Sequence, residues 1–271
     1  MPHPDVHVAR DGATAGTAEG SVRTITINAA DRLNSLDDAM LRALAEAVAE
    51  EPGSDRVIVL RGAGRGFCAG ADLGRVEDLA DASAAATIDA ANDLVGALTR
   101  SPLPVVAVVH GPCAGVGVSI ALAADIVIAS TDAFFQLAFT KVGLMPDGGA
   151  SALVAASVGR ARAVRMALLA ERLGAQEAAA SGLIARAVAP SDLAAEADAI
   201  IAALAAGAGD ALARTKAAVN AATLGGLDDA FGRERAGQLV LLGAADFAEG
   251  VRAFGDRRPP RFTDPVGGRQ P

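Results

Sequence analysis

Hydrophobic and polar positions follow two different periods along the chain. "DVHVAR" (5–10) and "SVRTITIN" (21–28) have the two-residue period of strands. The second puts Val22, Thr24 and Thr26 on one face and Arg23, Ile25 and Ile27 on the other. The turn formers of "DGATAGTAEG" (11–20) lie between them, which predicts a hairpin with a long, mobile loop. Over "NSLDDAMLRALAEAVAEE" (34–51) the period changes. Leu36, Met40, Leu44 and Val48 recur every four residues, with Leu41 beside them, so a helix is predicted, and Ser35 with Asp38 fits a capping box. "RVIVLRG" (56–62) and "PVVAVVHG" (104–111) are continuous apolar runs, as in strands buried on both faces. A helix is predicted over about 83–99, another over "AGVGVSIALAAD" (114–125), and a strand over "DIVIAS" (125–130).

This strand–helix rhythm predicts an α/β sheet and fades after about residue 150. "AERLGAQEAAASGLIARAVA" (170–189) reads as a helix, a stop at Gly182 and a short strand. Helices are predicted over 191–206, 209–222, 226–242 and 244–254, followed by an extended Pro-rich tail over 256–271. The expected organisation is an α/β core over 1–190 and a helical region over 191–271 that acts as a lid or an oligomer interface.

Composition narrows the classes. The 271 residues, 52% hydrophobic, are enough to bury a core without disulfides or metals. The apolar runs are too short to cross a bilayer and no signal peptide is read, so a cytoplasmic protein away from membranes is expected. A net charge of −8 argues against nucleic acid as a partner. His3, His7 and His110 lack ligand spacing, so no metal is expected, and His110 reads more readily as a turn residue than as a catalyst. Cys68 and Cys113 read as small packing residues. "GAGRGF" (62–67) and "GVGVSI" (115–120) lack the third glycine of a dinucleotide loop, and neither a phosphate loop nor a Gly-x-Ser-x-Gly turn occurs.

Two stretches carry candidate chemistry. "FCAGADL" (67–73) and "HGPCAGVGVSIA" (110–121) both follow buried strands, so both belong at the carboxyl edge of one sheet, where ligands of α/β proteins collect. Small residues let backbone approach closely. Two such loops can aim two N–H groups at one oxygen, an oxyanion hole for an enolate or tetrahedral intermediate; tight packing of helix on sheet explains the same residues equally well.

"RLNSLDDAM" (32–40), "GAGRGFCAGADL" (62–73), "GPCAGVGVSIALAADIVIA" (111–129), "VGLMPDGGAS" (142–151), "LLAERLGAQEAAASGLI" (168–184) and "FAEGVRAFGDRRPPRF" (247–262) together resemble the crotonase (enoyl-CoA hydratase/isomerase) superfamily over nearly the whole chain. The resemblance implies a crotonase-like spiral of ββα units and a helical C-terminal trimerisation region, in homotrimers or in hexamers of paired trimers. It implies a coenzyme A thioester as substrate, with no separate cofactor, and metabolism of fatty-acid type. Carried over by motif, the oxyanion donors are the N–H groups of Ala71 and Val116, the latter following Gly115. Arg32 lies where CoA phosphates are met, although a solvated surface Arg fits as well; Leu33, Ala69, Asp72 and Leu73 flank the expected adenine and pantetheine path. The acyl pocket is expected to depend on the loop over 74–90.

Hydratases of the family, which are lyases, place two glutamates where this chain has Ser119 and Phe139. Phe139 does not titrate, and Ser119 is a poor base without a partner. The remaining carboxylate is Asp147 of "GLMPDGG" (143–149). Its position is similar to that in the isomerase branch, including enzymes acting on ring-opened or epoxidised phenylacetyl-CoA and dienoyl-CoA isomerases, where an aspartate shuttles a proton. Phe139 and Leu144 would then wall the site. The competing reading makes Asp147 only a cap for the helix that follows. Isomerisation of an enoyl-CoA is therefore expected, with hydration, thioester hydrolysis and non-catalytic acyl-CoA binding as alternatives.

Overall fold

The computed structural model describes residues 3–12, 20–72 and 82–267. Leu73, residues 74–81 of the expected acyl-pocket loop and residues 13–19 of the predicted hairpin loop lie outside the described residues.

β1 (Val6–Gly12) and β2 (Ser21–Ile27) form the predicted hairpin, with Val6 paired to Ile27. β2 then pairs in parallel with β3 (Asp55–Gly62), β3 with β4 (Val105–Val109), β4 with β6 (Ile126–Ser130), and β6 with β9 (Arg186–Val188). The resulting sheet has the order β1-β2-β3-β4-β6-β9. A smaller sheet joins β5 (Pro112–Ala114), β7 (Phe134–Gln136) and β8 (Leu173–Gly174). Successive strands thus alternate between sheets: β4 enters the large one and β5 the small one, followed by α3 (Val116–Leu122); β6 and β7 repeat the step, followed by α4 (Ala150–Leu169). This alternation is the spiral of ββα units. The small strands have only two or three residues each, too few to show a period in sequence.

The buried alternation of β2 comes out as read, with Ile25 and Ile27 in the core. Arg23 shares that face and is wholly buried. Its charge is paired with Asp55 at 2.6 Å, and its remaining N–H groups donate to the carbonyls of Ala47, Glu50 and Glu51. Burial of a guanidinium is sustainable only with this degree of pairing.

α1 (Asp38–Ala49) buries the stripe Met40, Leu41, Leu44 and Val48. The predicted start is corrected. The N-cap is Asp37, whose Oδ1 accepts from the Met40 N–H at 2.9 Å; Ser35 forms no capping box. Residues 34–36 are not free to be helical. Asn34 has a left-handed backbone, and Leu36 pairs like a strand residue with Ala71.

α2 (Ala82–Arg100) packs on α1, and both belong to the main core with α3 and α4. On the other face of the sheet, Val57, Val59, Val106, Val108 and Ile128 meet Ala197, Ile201 and Ala205 of α6 (Leu193–Ala205). α5 (Ala175–Ala180) ends before Gly182, whose φ is +81°. α7 (Gly209–Thr223), α8 (Leu227–Leu242) and α9 (Ala245–Gly255) match the predicted C-terminal helices. α8 crosses α2 and α4, which brings it to the site below.

Candidate active site

The two small-residue loops meet. Cys68 and Cys113 pair as a parallel bridge, in which the Ala114 N–H donates to the Cys68 carbonyl at 2.9 Å. Gly70 has φ +101°, a conformation that disfavours a side chain, and a Cβ built there would lie 3.0 Å from the Ala114 carbonyl oxygen and 3.4 Å from Gly115 Cα. The small residues therefore serve a close backbone-to-backbone approach.

On its other side the first loop is pinned by residues 33–36. The Ala69 N–H donates to the Leu33 carbonyl, the Leu36 N–H to the Gly70 carbonyl, and the Asp72 N–H to the Leu36 carbonyl. In a parallel bridge of this pattern the central residue, Ala71, turns its own N–H away from the partner strand. Val116 is the first residue of α3, so its N–H has no intrahelical acceptor. Ala71 and Val116 thus each carry an N–H that the secondary structure does not use, on loops that touch through Gly70 and Gly115.

Asn34, wholly buried, supports the same loop by donating from Nδ2 to the carbonyls of Ala63 and Gly66, both at 2.8 Å. His110 braces it as a turn residue, with Nε2 donating to the Gly64 carbonyl at 2.9 Å. Arg32 is an engaged side chain rather than a free one: it bonds to Asp5 at 2.9 Å and to the Ser35 carbonyl, and stands 3.9 Å from Asp72. Burial raises the Cys68 thiol to about 12 and the Cys113 thiol well above its usual value, as suits packing residues.

Asp147 lies against α3. The turn reaches α3 through Gly148, where an added Cβ would stand 3.1 Å from both Val116 Cγ2 and Ser119 Cβ. Ser119 Oγ donates to the Asp147 carbonyl oxygen at 2.8 Å. The Phe139 ring stands within 4.0 Å of where a Gly115 Cβ would be, and the Leu144 N–H donates to the Phe139 carbonyl.

The Asp147 carboxylate does not cap α4. Its N-cap is Gly149, and two N–H groups at this end are taken by Glu234 of α8, whose Oε2 and Oε1 accept from Gly149 N at 2.7 Å and Ser151 N at 2.8 Å. Asp147 Oδ2 accepts from Gln238 Nε2 at 2.8 Å, while Oδ1 is sealed from solvent with no donor among the described residues. Although the residue as a whole keeps some exposure, burial of the carboxyl pushes it up to about 7. The Gln238 bond opposes this rise and the charge of Glu234 adds to it. A carboxylate poised there exchanges protons readily near neutrality.

Glu234 and Gln238 were not singled out in the sequence. They lie 85 and 91 residues beyond their partners, and the one local hint is a pair of polar residues one helical turn apart. No group of three or more metal-ligating side chains occurs among the described residues.

The enoyl-CoA hydratase/isomerase family pattern matches residues 17–265. A Rhodobacter capsulatus protein named "probable enoyl-CoA hydratase" is 43% identical over 241 residues, 88% of this chain and 93% of that protein. The 1,2-epoxyphenylacetyl-CoA isomerase of Escherichia coli is 40% identical over 255 residues, 90% of this chain and 96% of that protein. A crystal structure described as an enoyl-CoA hydratase from Mycobacterium avium subsp. paratuberculosis superposes with a TM-score of 0.87 at 49% identity, covering 97% of this chain and all of the other. With the ββα spiral and the paired loops, these likenesses show that the chain belongs to the enoyl-CoA hydratase/isomerase family of the crotonase superfamily.

Proposed function

We propose that the protein moves a double bond within an enoyl-CoA thioester, with Asp147 as the proton shuttle. The observation that carries this reading is the Asp147 carboxylate, which is buried, raised to about 7 and released from helix capping by Glu234. Asp147 takes a proton from the carbon beside the thioester carbonyl. The C–H electron pair moves into the enolate, whose oxygen is held by the N–H groups of Ala71 and Val116. Asp147 then returns the proton two carbons further along the conjugated system, and the double bond is left next to the carbonyl. Proton and electrons balance without a separate cofactor, since CoA arrives with the substrate. Phe139 and Leu144 keep the carboxyl away from water.

Hydration is the second reading, favoured by the names of the Rhodobacter and Mycobacterium relatives. Against it, the Ser119 hydroxyl is spent on the Asp147 carbonyl and Phe139 has no proton to exchange. We also place the active form as a trimer or paired trimers, in keeping with the apolar side chains left exposed on α4, α7 and α9, among them Leu168, Leu169, Val219 and Phe254. The test is incubation with 2-enoyl-, 3-enoyl- and ring-type CoA thioesters in deuterated water, followed by mass analysis. Isomerisation predicts a product with the double bond moved and no added oxygen, carrying deuterium only where Asp147 exchanges its proton with solvent before returning it; a gain of one water from a 2-enoyl-CoA as the faster reaction would replace it with hydration.

A further inference from the structure

Two clamps on Asp147 come from one helix. Glu234 and Gln238 stand one turn apart on α8 and are 1% and 2% exposed. Glu234 holds the backbone that follows Asp147, through Gly149 and Ser151. Gln238 holds the side chain, by Nε2 donating to Oδ2. Its other amide end, Oε1, is buried without a donor among the described residues. A buried glutamine with a purely architectural task would be expected to use both ends of its amide.

We propose that Gln238 is the positioning residue of the proton shuttle: it grips Oδ2 of Asp147 and so fixes the orientation in which the carboxyl meets the substrate. This rests on the isomerase reading above. The Gln238 N–H occupies one lone pair of Oδ2. Oδ1 has no donor among the described residues, so the Gln238 bond is the one side-chain contact there that restrains rotation of the carboxyl. Losing that bond frees the carboxyl to turn away from its working orientation. α8 thus belongs to the catalytic machinery although it neither follows a sheet strand nor carries a recognisable motif.

The same bond favours the ionised carboxyl. The charged group that opposes it is Glu234, and from α3 the neighbour is the neutral Ser119 hydroxyl, which donates to the Asp147 carbonyl. Losing the Gln238 donor should shift the acid limb of the pH profile upward, whereas Glu234→Gln should shift it downward.

The test compares full-length wild type, Gln238→Leu, Gln238→Met and Asp147→Asn on a 3-enoyl-CoA, measuring kcat, KM and the pH dependence of kcat/KM. The expected result for both Gln238 variants is a fall in kcat of about 10- to 100-fold, KM within about twofold, and an acid limb moved to higher pH. Folded Gln238 variants with wild-type kcat and an unmoved limb, beside an inactive Asp147→Asn, would overturn the positioning role alone. A fall in kcat with the limb unmoved would assign Gln238 to packing and overturn it too. So would failure of both variants to fold, since among the described residues the side chain's one hydrogen bond is to Asp147. An Asp147→Asn enzyme as active as wild type would instead remove the shuttle reading.

Discussion

At the scale of single residues, Asp147 is costly to the fold. Its carboxyl stands at about 7 in the folded protein against an ordinary 3.8, because burial penalises the charge. Between these two values the unfolded chain has released a proton that the folded chain retains, so stability falls as pH rises through this window and stays lowered above it. Asp147→Asn should therefore gain thermal stability relative to wild type on going from pH 5 to pH 8. Parallel calorimetric scans would show this; a stability gap constant across those pH values would contradict the shifted titration. Activity should move the opposite way, with the acid limb of kcat/KM centred near 7 in wild type, as a titration of initial rates would show.

At the scale of elements, the function depends on how two loops are held. Ala71→Pro removes one unused N–H and should lower turnover about 100-fold or more. Unchanged turnover in a folded variant would refute the oxyanion assignment. Asp37→Ala removes the observed cap of α1 and should cost about 1 kcal/mol in denaturant unfolding, whereas Ser35→Ala, outside the helix, should not act through that cap. These elements also show what the sequence makes legible. Long periods survive folding, so α1, β2, β3, β4 and the C-terminal helices stand where the pattern puts them. Residues 34–36 do not, because their pairing with Gly70, Ala71 and Asp72 overrides the local helix signal. The two loops were legible from their position after apolar strands and from their motifs. Glu234 and Gln238 were not, because burial of a polar residue on a helix is decided by what crosses it, here the turn at Asp147.

At the scale of the molecule, the C-terminal helices are tied to the α/β core by buried polar contacts as well as apolar ones. Lys216 of α7 lies 2.9 Å from Asp125, at the turn before β6, and donates to the carbonyls of Leu98 and Leu103. Removing a cation so enclosed takes a donor from the carbonyls of Leu98 and Leu103 and the countercharge from Asp125, which keeps the Val105 N–H. Lys216→Met should destabilise the protein by about 3 kcal/mol, read from the denaturation midpoint. A loss below about 1 kcal/mol would mean that the Lys216 contacts add little to holding α7. Sedimentation should give a species of three or six chains at micromolar concentration; a species of 26.9 kDa alone would contradict the proposed assembly.

The proposed function requires Asp147 to move a proton, since the start of α4 is served by Glu234. Asparagine keeps the size and the capping capacity of aspartate and loses the titrating group. The decisive measurement is the rate of isomerisation of a 3-enoyl-CoA by wild type and by Asp147→Asn, each well below its unfolding temperature. A proton shuttle predicts a loss of about 100-fold or more with acyl-CoA affinity nearly intact. Equal rates would contradict it.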